Sequence, residues 1–71
     1  MTTGQRIRQR REERGIKQSE LARQIGASKQ SLYKYEMGIV DNIPLSIIEK
    51  IAFALNCSPA YLAGWSEEVS A

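Results

Sequence analysis

At 71 residues, with 42% apolar and 25% charged side chains, the chain has the composition of a single small globular domain with room for one modest core. No apolar run reaches the length of a membrane span and the N-terminus lacks the apolar stretch of a secretory signal, so a cytoplasmic protein is expected. One cysteine, Cys57, and no histidine exclude an internal disulfide, offer no metal site and imply no cofactor; without the commonest acid–base group near neutral pH, an enzyme is not expected.

The net charge of +2 is unevenly spread. Residues 6–34 hold nine Lys and Arg against Glu12, Glu13 and Glu20, a net +6, and the remainder is acidic. A basic half suits an anionic partner, but a charge run on a short helix also serves as a plain solvated face. Charge alone does not decide between them.

The first helix opens at Thr2 or Thr3, either of which can cap it, and runs to about Arg14, where Gly15 stops it. Its one clear apolar anchor is Ile7, with Arg11 and Arg14 following on the same face. So little oil requires arginine stems to be buried or their heads to be paired. A second helix fits residues 18–25, with Leu21, Ala22 and Ile25 as a narrow apolar stripe, and Gly26 ends it. Ser28 is the N-cap candidate for a third helix from Lys29 to Glu36, whose inner face carries Leu32 and Tyr35.

Residues 37–44, MGIVDNIP, read as a loop, because Asp41-Asn42 is turn-prone and Pro44 bars backward extension of a helix. The fourth helix, from Leu45 to Leu55, is apolar on much of its circumference and belongs in the middle of a bundle. Ser58-Pro59 opens a short last helix, Ala60–Ala63; Tyr61 and Trp65 are expected as lids on the core. Residues 1–65 form the domain, and Ser66–Ala71 is expected to be a frayed tail or the start of a linker. No segment alternates with period two long enough for a strand. The class is all-α, a bundle of five short helices.

Two short helices joined by a glycine-containing turn, here 18–36, make the helix-turn-helix pattern. Turning Leu32 and Tyr35 inward forces Lys29, Gln30, Tyr33 and Lys34 outward, and these donors, amides and an aromatic are what base edges and phosphates accept. The stretch IKQSELARQIGASKQSLYKYEMG, with Arg11-Glu12-Glu13-Arg14-Gly15 before it and IEKIAFALNCSPAYLAGW after it, resembles the Cro/repressor-type helix-turn-helix, the lambda-repressor-like fold, over residues 6–65. The ending AYLAGW is similar to the DNA-binding heads of phage-type repressors, where a linker and a second domain often follow.

The resemblance implies roles position by position. Gln18 opens the second helix where the family approaches a backbone phosphate, and Lys29, Gln30 and Lys34 stand where bases are read. Lysine suits guanine O6 and N7, and glutamine grips adenine N6 and N7. Ser28 and Ser31 would add hydroxyl contacts to phosphates or bases. Tyr33 either meets a thymine methyl, bonds a phosphate, or forms a half-buried core edge. Arg11 and Glu36 would form an ion pair bracing the first helix against the third, a structural role. Lys17 replaces the usual Ser or Thr cap and would touch phosphate instead. Arg10, at a position commonly apolar, is expected to be exposed, and Arg6 and Arg8 are read as surface charge. The loop lacks Lys and Arg, so a phosphate contact there falls to backbone N–H groups or Asn42.

The expected activity is sequence-specific binding of double-stranded DNA by a transcription regulator, a repressor, acting as a homodimer on a two-fold operator. A dimerisation domain beyond Ala71 would hold the two copies. The alternative is an antitoxin-like module that binds a partner protein and regulates its own operon, with Phe53 and Trp65 as contact candidates. Phe53 also suits a dimer contact. Cys57 is expected as a small apolar filler of the core.

Overall fold

Thr2 starts the first helix through a reciprocal pair: its hydroxyl oxygen accepts the Gln5 N–H at 3.1 Å, and the Gln5 side-chain oxygen accepts the Thr2 N–H at 2.8 Å. The protein, represented by a computed structural model, is described for residues 1–69. Within them are five α-helices and no strand: α1 Thr3–Glu13, α2 Gln18–Ile25, α3 Lys29–Glu36, α4 Leu45–Ala54 and α5 Pro59–Ala63. α2 and α3 coincide with the ranges expected from the sequence; the other three shift by one or two residues at an end.

Each helix contributes a few apolar side chains to one core. Ile7 of α1, Leu21 and Ile25 of α2, Leu32 of α3, Ile51 of α4, Leu55 just beyond it and Leu62 of α5 are its largest fully buried members. Ala22, Ala52 and Cys57 fill the gaps between them. α4 lies centrally, as its breadth of apolar surface requires, with Ile47, Ile48 and Ala54 packed along the margin. Burial at ~25 cal/mol per Å² is the main stabilising contribution in a domain of this size.

α1 contributes least oil and is positioned by other means. Gly4 is buried where α1 passes the end of α3, and a Cβ there would press on the Tyr35 carbonyl oxygen and stand 2.7 Å from that of Glu36. Those are backbone atoms, which cannot swing aside. A glycine is required because the two helices meet backbone to backbone.

Five readings of the sequence are revised. Arg10 is not free on the surface: its Nε donates to the Leu55 carbonyl at 3.0 Å and its Nη2 to that of Asn56 at 3.1 Å. α4 has no basic residue in its own last turn, so α1 supplies the cation to those orphan carbonyls. Trp65 is 77% exposed rather than a lid, because the chain turns at the left-handed Gly64. Tyr61 alone covers the core there, with the Arg6 guanidinium 4.9 Å from its ring centroid, so Arg6 is more than surface charge. The tail is not frayed as far as Val69, which packs on the core while its carbonyl accepts the Ser58 N–H at 2.7 Å; residues 70–71 lie outside the described residues. Ile43, read only as loop, is buried and ties that loop to the core.

Two outcomes follow from this packing. Gly4→Ala should destabilise the domain by about 1–3 kcal/mol in urea unfolding, through overpacking at the α1–α3 crossing. Burial pushes the Cys57 thiol above its ordinary range, against the opposing pull of Arg10. The folded state therefore holds the proton longer than the unfolded chain, and stability should fall as pH rises past about 8.5, the free-thiol value. Cys57→Ala should lack that decline between pH 8 and 9.5, and the native thiol should resist aromatic disulfide reagents until the domain is unfolded.

Candidate nucleic-acid interface

The turn between α2 and α3 is set by two local devices. Gly26 adopts φ 71°, and the chain reverses there with the Ala27 N–H donating to the Ala22 carbonyl at 3.0 Å. Ser28 then caps α3, its hydroxyl oxygen accepting the Ser31 N–H at 3.0 Å and its O–H donating to the Ser31 hydroxyl at 2.9 Å. The two serines thus bind each other at the start of the helix. Their remaining lone pairs and hydrogens, with the first N–H groups of α3, face solvent where an anion can approach.

Leu32 is fully buried and Tyr35 packs against the core, which fixes the roll of α3. Lys29, Gln30, Tyr33, Lys34 and Met37 are consequently all exposed on the opposite side. They follow one another at helical spacing, so they form one continuous edge. Among the described residues, no hydrogen bond occupies the Lys29, Gln30 or Lys34 side chains. Tyr33 is 47% exposed: its ring lies on this edge and not in the core.

Behind the edge lies a buried ionic network. Arg11 Nε donates to Glu36 Oε2 at 2.7 Å and Nη2 to Oε1 at 3.1 Å, a two-point grip on a carboxylate only 4% exposed. Arg11 Nη1 also donates to the Ile16 carbonyl at 2.9 Å, and the Gln18 amide donates to Glu36 Oε1 at 3.1 Å. α1 and the start of α2 thus meet the end of α3 at this one carboxylate, and Arg11 ties the α1–α2 turn to the same network. Arg11 and Glu36 thus lie 2.7 Å apart and link α1 to the end of α3.

Gln18 differs from the sequence expectation. Its side-chain amide points inward to Glu36, and its backbone N–H lies in the first turn of α2, which has no side-chain cap. Lys17 gives α2 no side-chain cap, and Glu20 is turned away onto Arg23 Nη2 at 2.6 Å and Gln24. Those two partners hold the Glu20 carboxyl below the usual range. The first N–H groups of α2 are therefore uncapped, beside Lys17. In the loop, the Ile39 and Val40 N–H groups both donate to the Lys34 carbonyl, at 3.0 and 3.2 Å, so they are spent within the protein. Asn42 stays exposed. Sequence reasoning missed Arg8 and Met37, which border a cleft between α1 and α3 together with Gln18 and Tyr33. Only the distance between the two helices reveals it.

The model of the helix-turn-helix family matches residues 7–62. The chain belongs to that family. It is 41% identical over 58 residues to the uncharacterized HTH-type transcriptional regulator y4wC of Sinorhizobium fredii, covering 82% of this chain and 40% of that protein. It is 35% identical over 65 residues to the HTH-type transcriptional regulator SinR of Bacillus licheniformis, covering 92% and 59%. This helix-turn-helix chain thus spans about half the length of those relatives. Among solved structures, the P22 c2 repressor in complex with synthetic operator 9T superposes with a TM-score of 0.83 at 29% identity, covering 93% of this chain and 98% of that one. The Cro/repressor-type resemblance and the all-helical fold are both upheld.

Removing the acceptor at the centre of the network tests its weight. Glu36→Ala should cost about 3–5 kcal/mol, because Arg11 is left buried without a counter-charge. Thermal unfolding followed by circular dichroism should show a domain close to fully unfolded at 37 °C.

Proposed function

We propose that the chain is the DNA-binding domain of a cytoplasmic transcription regulator, a repressor, that reads double-stranded operator DNA in the major groove with α3. The observation that carries this reading is the uninterrupted exposed edge of Lys29, Gln30, Tyr33 and Lys34 on a helix whose other side is locked into the core. Its support comes from the likeness to a repressor that was solved on its operator. Lys29 and Gln30, in the first turn of α3, meet base edges, and Lys34 and Tyr33 follow one turn on. Lys17, Ser28, Ser31, the backbone N–H of Gln18 and Asn42 meet phosphates and set the register of the helix.

One short helix reads roughly 4–5 base pairs, too few for specificity in a genome, so two copies bind two half-sites about one helical turn apart. Exposed apolar side chains of Ile39, Val40 and Leu45 follow directly on α3 and support contact between the copies on DNA. The chain acts by binding and needs no metal or cofactor for it. Phe53, 90% exposed, favours a second reading, an antitoxin-like module in which this face of α4 docks a partner protein. A stoichiometric partner recovered with no duplex binding would favour that alternative.

Selection of bound duplexes from a random pool tests the first reading. The recovered sites should be two-fold symmetric, and Gln30→Ala should relax preference at one position per half-site by about 1–3 kcal/mol. An unchanged preference in that variant would remove Gln30 from the reading edge.

A further inference from the structure

We propose that the cleft between α1 and α3 is a second phosphate-binding site of the operator interface, with Arg8 as its ligand and Glu12 as its built-in competitor. The inference rests on the DNA-binding reading above and extends it to a residue outside the helix-turn-helix. Arg8, Gln18, Tyr33 and Met37 line this cleft, so it opens onto the same side as the reading edge. Its other charged groups are spoken for: Arg11 and Glu36 neutralise each other at 2.7 Å behind it. Arg8 is the cation left at the rim.

Arg8 is held only lightly. Its Nε lies 3.4 Å from Glu12 Oε2, and both side chains are more than half exposed, at 53% and 57%. The pair is also arranged with the base N-terminal to the acid, the weaker order along a helix. Compare Arg10 and Arg11 on the same helix, whose guanidinium groups are fixed on backbone carbonyls or a buried carboxylate at 3.1 Å or less. Arg8 can therefore exchange Glu12 for a phosphate oxygen while the fold stays intact. A guanidinium matches a phosphate at two points, which a single loose carboxylate contact does not offset. Glu12, left beside the duplex, then repels it and lowers the affinity of the domain.

Fluorescence anisotropy on a duplex recovered from the random-pool selection, titrated between 50 and 250 mM KCl, tests the assignment. Arg8→Gln should weaken binding about tenfold and reduce the slope of log affinity against log salt by about one, with no change in base preference. Arg8→Lys should restore the slope. Glu12→Gln should tighten binding a few-fold in the parent and distinctly less when combined with Arg8→Gln. Thermal melts of all four variants should match the parent, since the pair is exposed.

An unchanged slope in Arg8→Gln, with Gln30→Ala still altering preference, overturns the cleft assignment and leaves the reading helix standing. Equal gains from Glu12→Gln with and without Arg8 overturn the competitor role. A parent domain that selects no duplex at all overturns both this proposal and the reading beneath it.

Discussion

The carboxylate of Glu36 is the point on which the geometry of the domain turns. It is the last residue of α3, it is 4% exposed, and it takes hydrogen bonds from both Arg11 and Gln18. Burying such a charge is costly in itself, and a buried ion pair is often no better for stability than well-packed oil. What it supplies here is direction. α1 offers the core only Ile7 as a fully buried large side chain, and one apolar contact leaves a helix free to roll. The two-point grip of Arg11, with a third bond to Ile16, removes that freedom and ties the roll of α1 to the end of α3.

The same economy governs the helix ends. α3 is capped by its own Ser28, and α1 by Thr2 with Gln5, so both begin at fixed points. α2 begins at Lys17 with no side-chain cap, and its one early acid is tied to Arg23. A cap missing at one place costs about 1 kcal/mol of helix stability. It also leaves donors open beside a lysine, on the side where Gln18 enters the Glu36 network. The start of α2 is thus weaker as a helix, and its uncapped N–H groups suit the proposed phosphate contact, the pattern expected where local stability and binding draw on the same N–H groups.

Much of this was legible in the chain before any coordinates. Gly26 and Ser28 mark the turn between α2 and α3 with local chemistry, and so the sequence alone places these helices at 18–25 and 29–36. The outward edge followed from the 3.6-residue period alone once Leu32 and Tyr35 were assigned to the inside. What escaped depends on partners distant in sequence. Arg10 reads as an ordinary exposed base until the uncapped end of α4, 45 residues on, is set beside it. Gly4 looks like a weak helix residue until the backbone of α3 arrives against it. Ile43 sits among turn-forming neighbours that hide its role, and Val69 returns to the core with its carbonyl accepting the Ser58 N–H from a distant part of the sequence. Arg8 shares its helix with three other arginines, Arg6, Arg10 and Arg11, each in a different setting, and periodicity does not distinguish them.

Those settings separate the work of the molecule into two layers. The buried layer, Leu21, Ile25, Leu32 and the Arg11–Glu36 pair, decides where α3 lies and how it is rolled. The outer layer, Lys29, Gln30, Tyr33 and Lys34, is exposed and is positioned by the backbone that carries it. Exchange of an outer side chain therefore costs little folding stability, because surface substitutions away from caps and pairs usually change it by less than about 0.5 kcal/mol. Exchange of an inner one moves the whole edge. On the proposed reading, a fold built this way can change the DNA sequence it prefers one side chain at a time while its docking geometry stays constant. That division holds only while the ionic brace keeps α3 from rolling, since a rotation of one residue, about 100°, would carry Lys29 off the edge and bring an inner residue onto it.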